Sequence, residues 1–320
     1  MLIFTEDEIR QQLELNDEVI EEVESAFKMI STNQIEMPPT MRVNVPNHNG
    51  EIIVKTALIT GLEMFALKVS SHFFNNFSIG FSSTSGVMML MNALNGKPEA
   101  FFYDNGFLTD LRTGAAGAIA AKYLANDVIN KVGVIGTGSQ AKMQLMALKK
   151  VRDFKTVYVY GRTQKRMGEF KQYIESALHV DVHIVETPEQ VVKSSELLIT
   201  ATPSNEPIVR HEWVPDGMHI TAVGADADHK QELDPEIFKY ANIICCDVIS
   251  QSKEHGELRE AFNKNILHDT SKIYELGNMI LQKVKYRKSS QDITIADLTG
   301  TGAQDTKIAL YAYKKLTEEK

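Results

Sequence analysis

Cysteine is scarce in this chain. Of 320 residues two are cysteine, Cys245 and Cys246. They are neighbours inside an apolar run, which argues against a structural disulfide and fits a reducing compartment. No histidine stands near them and the nine histidines show no ligand spacing, so no metal site is expected. No apolar run reaches the roughly 18 residues that a membrane span needs. The first residues, MLIFTEDEIRQQ, are acidic and lack the layout of a signal peptide. A net charge of −8 argues against general nucleic-acid affinity. There is no serine-nucleophile elbow, no internal repeat and no low-complexity tract. These absences predict a cytoplasmic protein that binds neither nucleic acid nor membrane.

What is present predicts two domains. Hydrophobic residues make up 43% of the chain, enough for a large core. Thr5-Glu6-Asp7-Glu8 reads as a capping box that opens a short helix. Asn16 can cap a second helix, whose Val19, Ile20, Val23, Ala26, Phe27 and Ile30 form one apolar face. Pro38-Pro39 ends helical possibilities, and extended structure follows around Met41 to Val45. Strand-like runs cover Ile52 to Ile59, Met64 to Ser70 and Val87 to Met91, and Asn95-Gly96 turns the chain into Ala100 to Tyr103. The first third therefore reads as mostly antiparallel β-structure behind two helices.

The middle of the chain is organised around Lys131 to Lys149. Val132 to Ile135 is a short apolar run suited to a buried parallel strand, and it stops at Gly136-Thr137-Gly138. Gln140, Ala141, Met143, Leu145, Met146 and Leu148 then recur at helical spacing. A strand, a glycine turn and a helix form the context in which Gly-x-Gly-x-x-Ala signals a dinucleotide site. Gly136 permits the tight turn, Gly138 lets a pyrophosphate reach the backbone, and Ala141 allows close helix–strand packing. Amides at the helix start, from Ser139 and Gln140, face the phosphates. The alternative is a βα turn with accidental glycines. Further strands at Val157–Tyr160, Val182–Val185, Leu197–Ala201, His219–Val223 and Asn242–Cys246 alternate with helices. That alternation predicts a doubly wound parallel sheet of Rossmann type. After the second strand stands Gly161-Arg162-Thr163, with no carboxylate for a ribose 2′-hydroxyl. Arg162, with Lys165 and Arg166, suits a 2′-phosphate, so NADPH is favoured over NADH. The other reading makes Lys165 and Arg166 helix surface.

Three cations upstream need an explanation. Lys55 and Lys68 interrupt strands that are otherwise apolar. A lone lysine there is ordinarily an edge residue whose stem is buried and whose ammonium reaches water. Two in neighbouring strands, with Arg42 before them, are the pattern of an anion pocket for a substrate carboxylate. Arg112 and Thr113 precede a run of small residues, Gly114 to Ala121, expected to pack closely on the nucleotide domain's sheet. At the head of that helix they would aim donors at an anion, helped by the helix dipole. The alternative for Arg112 is a surface position.

Taken together, these residues resemble the ornithine cyclodeaminase/μ-crystallin family over nearly the whole chain. The resemblance is carried by Lys68, Leu108-Thr109-Asp110-Leu111-Arg112-Thr113, Gly136-Thr137-Gly138, Ala222-Val223-Gly224-Ala225-Asp226, Lys230 and Glu232. Gly256-Glu257-Leu258 and Asp297-Leu298-Thr299-Gly300 add to it, and Gly224-Ala225-Asp226-Ala227-Asp228-His229-Lys230 is most similar to the ectoine-utilisation branch. The resemblance implies an α+β substrate-binding and dimerisation domain, residues 1–120, completed by a C-terminal helix in 303–320. Residues 121–302 would form the dinucleotide-binding domain, and the protein would be a homodimer.

It also implies roles. Arg42, Lys68 and Arg112 match positions that hold the α-carboxylate, and Asp226 matches the acidic residue essential for cyclodeamination, where a carboxylate could shuttle the amine proton. Thr163, Thr202, Val223, Gly224 and Lys230 join Arg112, Thr113 and the glycine turn around NAD(P). Asp226 has an alternative as a turn residue, and Asp228 and His229 are weaker candidates. The family's cyclodeaminases carry a glutamate where this chain has Lys55. An ammonium there would repel a diamino acid's distal amine and would suit a second carboxylate or a substrate with no distal cation. Lys55 turned away from the pocket is the other possibility. The leading expectation is therefore an imine reductase or amino-acid dehydrogenase. The alternatives are a cyclodeaminase of ornithine or a shorter diamino acid, and a non-enzymatic NADPH-dependent binding protein.

Overall fold

A computed structural model describes residues 1–32 and 34–318. The chain divides into two compact units, residues 1–112 with 301–320, and residues 113–300. The divisions fall at 112/113 and 300/301, where the family resemblance implied 120/121 and 302/303. The first unit opens with β1 (Leu2–Thr5), α1 (Glu6–Gln12) and α2 (Asp17–Ser31). The capping box forms as its spacing predicts, with Thr5 and Glu8 each taking the other's backbone amide. Asn16 caps α2, and the six apolar residues of the predicted face are buried. Then come β2 (Ile35–Glu36), β3 (Met41–Val45), β4 (Gly50–Ile59), β5 (Met64–Phe73), β6 (Thr84–Asn92) and β7 (Pro98–Tyr103). They form a sheet in the order β1-β7-β6-β5-β4-β2, with β3 also paired to β4. The pairings are antiparallel except that of β1, which runs parallel to β7.

Helix α3 (Phe107–Leu124) contains the division between the units. The second unit continues with β8 (Lys131–Ile135), α4 (Ser139–Val151), β9 (Thr156–Tyr160), α5 (Gln164–Leu178), β10 (Asp181–Ile184), α6 (Pro188–Lys193) and β11 (Leu197–Thr200). Beyond these lie β12 (His219–Ala222), α7 (Ile237–Tyr240), β13 (Ile243–Cys246), α8 (Ile249–His255) and α9 (Leu258–Asn263). β14 (Ile273–Glu275), α10 (Leu276–Gln282) and β15 (Thr294–Asp297) complete it. Its eight strands are all parallel, in the order β10-β9-β8-β11-β12-β15-β13-β14. Buried apolar residues on both faces hold helices against the sheet, one group around Val132, Val157 and Phe170, another around Ile220, Phe238 and Ile295. The chain returns to the first unit in α11 (Gly302–Glu318), which packs on α2, β4 and β5. No helix among the described residues is long and apolar enough to cross a membrane.

Candidate functional site

In the second unit the strand order reverses between β8 and β11, the position at which doubly wound sheets bind ligands. The glycine turn lies there. Gly136 has φ +120°, and a Cβ on it would stand 2.5 Å from the Ala201 carbonyl oxygen. Only glycine fits a turn of that conformation so close to the end of β11. Gly138 is the N-cap of α4 and forms no side-chain cap bond. A Cβ built on it meets nothing within 4 Å among the described residues. A glycine N-cap with space beside it for a ligand fits a pyrophosphate, so Gly136, Thr137, Gly138, Ser139 and Gln140 suit the phosphates of a dinucleotide. At the end of β9, Arg162 and Thr163 are exposed, whereas Lys165 pairs with Glu169 one turn along α5.

Glu232 ties together the strand ends that follow. Its carboxylate, fully buried, accepts from Thr200 Oγ1, Thr202 N, Thr202 Oγ1 and Gly224 N at 2.7–2.9 Å. Val223 N donates to the Thr200 carbonyl at 3.0 Å, so Thr202, Val223 and Gly224 form one braced edge. Glu257 supports Glu232 from behind by accepting its amide at 2.8 Å, and Asp297 in turn accepts the amides of Glu257 and Leu258. Burial pushes the carboxyls of Glu232 and Asp297 up to about 7, and that of Glu257 upward as well. Asp226 is bonded to the Lys230 ammonium at 2.7 Å. Arg259 holds that turn by donating to the carbonyls of Ala227 and Lys230. Asp226 is thus a carboxylate on an ammonium, and its side chain keeps 20% exposure.

In the first unit, alternation along the strands puts Glu51, Ile53, Lys55 and Ala57 of β4 on one face with Ala66, Lys68 and Ser70 of β5. Lys55 and Lys68 are direct cross-strand partners. Both are buried on interior strands, 7% and 3% exposed, so neither snorkels to water as a lone edge lysine would. Asp305 of α11, fully buried, receives the Lys68 ammonium and the Arg112 guanidinium, each at 2.9 Å. Burial, aided by the charges of Arg112 and Lys55, lowers the Lys68 ammonium to about 7, with Asp305 acting in the opposite direction. Gln304 Oε1 also accepts from Arg112, at 3.2 Å. Arg42 pairs with Glu51, which accepts from or shares a proton with His72 Nδ1 at 3.0 Å.

Two expectations need correction. Arg112 is not at the head of its helix. α3 begins at Phe107, with the Leu108 amide bonded to Asp104 Oδ2, so Arg112 and Thr113 sit in its second turn and the dipole adds little there. The glycines of the small-residue run meet a helix, whereas Ala121 joins the apolar group of the sheet around Val132 and Val157. A Cβ on Gly114 would stand 2.6 Å from Met143, and one on Gly117 would overlap the Gln144 amide, both on α4. Gln144 Nε2 also donates to the Thr113 carbonyl, which anchors that turn of α3. The residue that sequence reasoning missed is Asp305. It lies 193 positions from Arg112, and a solitary acid in a C-terminal helix gives no local signal. Glu51 and His72 were missed for the same reason. His211, Glu212 and Asp234 also come together, with ligand atoms within 4.8 Å of one another, and the His211 ring is bonded to Asp234 at 2.7 Å.

A doubly wound dinucleotide fold joined to a unit with a buried cation cluster defines a class of cofactor-dependent proteins. The chain belongs to the ornithine cyclodeaminase/mu-crystallin family, whose model matches residues 1–320. It is 39% identical over 319 residues to an uncharacterized cyclodeaminase of Sinorhizobium fredii, covering 99% of this chain and 96% of that one. Its structure resembles Δ1-pyrroline-2-carboxylate reductase of Thermococcus litoralis in complex with NADH and L-proline, with a TM-score of 0.94 and 29% identity over 100% and 98% of the two chains. It also resembles an archaeal alanine dehydrogenase dimer with bound NAD, with a TM-score of 0.90 and 33% identity over 100% and 97%.

Proposed function

We propose that the protein is an NAD(P)H-dependent imine reductase, or amino-acid dehydrogenase in reverse, acting at the α-carbon of a small α-imino acid. The observation that carries this reading is the buried cluster of Lys68, Arg112 and Lys55 around Asp305. Buried cations attract a carboxylate strongly, because a charge taken out of water is costly unless it is paired. A reduced nicotinamide, when bound, supplies the hydride that reduces the imine carbon. Arg112 and Lys68 hold the α-carboxylate and so fix the α-carbon, and such positioning accounts for much of the rate. Reduction of C=N also needs one proton at nitrogen. Lys68, lowered to about 7, and Asp226, paired with Lys230, are the groups that can deliver it.

Lys55 favours this reading over cyclodeamination. It is buried on the same face as Lys68, where a diamino acid's second ammonium would meet like charge. The exposed Arg162, with no carboxylate beside it, supports NADPH over NADH. We infer further that the protein forms a homodimer, the archaeal alanine dehydrogenase being a dimer, and that it works in the cytoplasm. The test is to follow NADPH and NADH oxidation with pyruvate, oxaloacetate or 2-oxoglutarate, each with ammonia, and with Δ1-pyrroline-2-carboxylate. Stoichiometric cofactor oxidation is expected. Ammonia released from L-ornithine or L-2,4-diaminobutyrate with no net cofactor change would refute it.

A further inference from the structure

Two buried polar atoms beside the cation cluster have no hydrogen-bond partner among the described residues, Ser70 Oγ and Gln304 Nε2. Ser70 is 6% exposed and Gln304 is fully buried. Native structures leave few such atoms, and an unpaired buried hydroxyl or amide is a cost that a ligand can remove. The surroundings explain both. Ser70 lies across from Ile53 on β4 and Gly86 on β6, one apolar and the other without a side chain. Arg42 flanks Ile53 on β3, and His72 follows Ser70 on the same face. Gln304 uses its oxygen on the Arg112 guanidinium, which leaves its NH2 group as the free donor.

We propose that Ser70 and Gln304 are substrate-binding residues, and that the substrate carries a second carboxylate on its side chain. The inference rests on the imine-reductase reading and names its substrate class. One carboxylate would lie by Lys68 and Arg112, where the Gln304 NH2 donates to it. The other would lie by Ser70, whose hydroxyl donates to it, with Arg42 braced on Glu51 to one side. Lys68 and Ser70 are alternate residues of one strand and so stand about 7 Å apart, close enough for one small dicarboxylic acid to bridge. The charges agree. Among the described residues, Arg42, Lys55, Lys68 and Arg112 come together here with the carboxylates of Glu51 and Asp305. That positive surrounding favours a ligand with two carboxylates over a ligand with one.

The experiment is calorimetric titration of the NADH-loaded protein with L-aspartate and with L-alanine, as the unaltered chain, as Ser70→Ala and as Gln304→Glu. The unaltered protein should bind L-aspartate at least tenfold more tightly than L-alanine. Ser70→Ala should reduce that preference about tenfold, the usual value of a hydrogen bond to a charged group, with L-alanine binding unchanged. Gln304→Glu, which keeps an acceptor for Arg112 but aims oxygen at the ligand, should weaken both. Ser70→Ala should melt no lower than the unaltered protein, since the hydroxyl it removes has no partner to lose. Equal binding of the two amino acids, an unchanged preference in Ser70→Ala, or a lowered melting temperature in that variant would overturn the proposal. These readouts need no turnover. If no 2-oxo acid supports cofactor oxidation while L-aspartate binds as described, the reaction fails and the binding site stands.

Discussion

Replacing Asp305 by Asn removes one negative charge from between two buried cations while keeping the shape of the side chain. The carboxylate oxygen lies 2.9 Å from the Lys68 nitrogen. Unit charges at such range interact by about 4 kcal/mol at the effective dielectric of a protein site. That corresponds to roughly three pH units in the ionisation of a partner. Lys68 already titrates at about 7, because burial and its cationic neighbours outweigh Asp305. Without Asp305 it would be neutral across the physiological range. If the α-carboxylate binds to the ammonium form, kcat/KM of the unaltered enzyme falls tenfold per pH unit above about 7. In Asp305→Asn the fall begins on the order of three units lower, so at pH 7 the variant has lost most of its activity through KM. Lys68→Arg, permanently charged, should show no break near 7. Breaking a buried pair also costs about 3–5 kcal/mol, less whatever Lys68 recovers by losing its proton, and urea titration would measure it. The assay is the pH dependence of kcat/KM at saturating cofactor. A breakpoint at the same pH in Asp305→Asn and the unaltered enzyme would refute the reasoning.

Other substitutions separate folding from binding. Gly138→Ala meets open space and should melt normally yet bind NADH at least tenfold more weakly, whereas Gly136→Ala, at positive φ against the Ala201 carbonyl, should lose stability outright; thermal melts with NADH titrations distinguish them. Glu232→Ala strands four donors in a buried setting and should cost at least 3 kcal/mol of unfolding free energy, at about 1–3 kcal/mol for each unsatisfied group. Arg162→Ser should weaken NADPH binding at least tenfold more than NADH binding, and equal losses for the two would assign Arg162 no part in the 2′-phosphate site.

Local chemistry was readable from the chain and distant pairing was not. The glycine turn, its strand and its helix are one continuous stretch in which each residue type has a backbone reason, so Gly136 to Gln140 could be read directly. The same holds for the caps at Thr5 and Asn16. β1 went unread because its four residues run straight into a capping box. β15 went unread because Thr294-Ile295-Ala296-Asp297 is short and ends in polar groups, although it is an interior strand of the parallel sheet, between β12 and β13. β5 runs three residues beyond the expected Ser70, since the polar run Ser70-Ser71-His72 interrupts the apolar pattern before Phe73 resumes it. That break marks the polar face around Ser70 and His72. The cations Lys55 and Lys68 stood out as charges in apolar strands, Arg42 as a further cation just before them, and Arg112 as a cation ahead of a small-residue run. The carboxylates that hold them, Glu51 and Asp305, had no such contrast with their surroundings, and only the fold pairs them.

The most direct test of hydride transfer at the α-carbon is isotopic. The protein would be given a 2-oxo acid, ammonia and NADH or NADPH deuterated at C4 of the nicotinamide, and the amino acid formed would be examined by mass spectrometry and proton NMR. The account predicts an amino acid carrying deuterium at Cα, in amounts equal to the cofactor oxidised. No label in any amino acid, together with ammonia released from a diamino acid and the cofactor recovered unchanged, would contradict it.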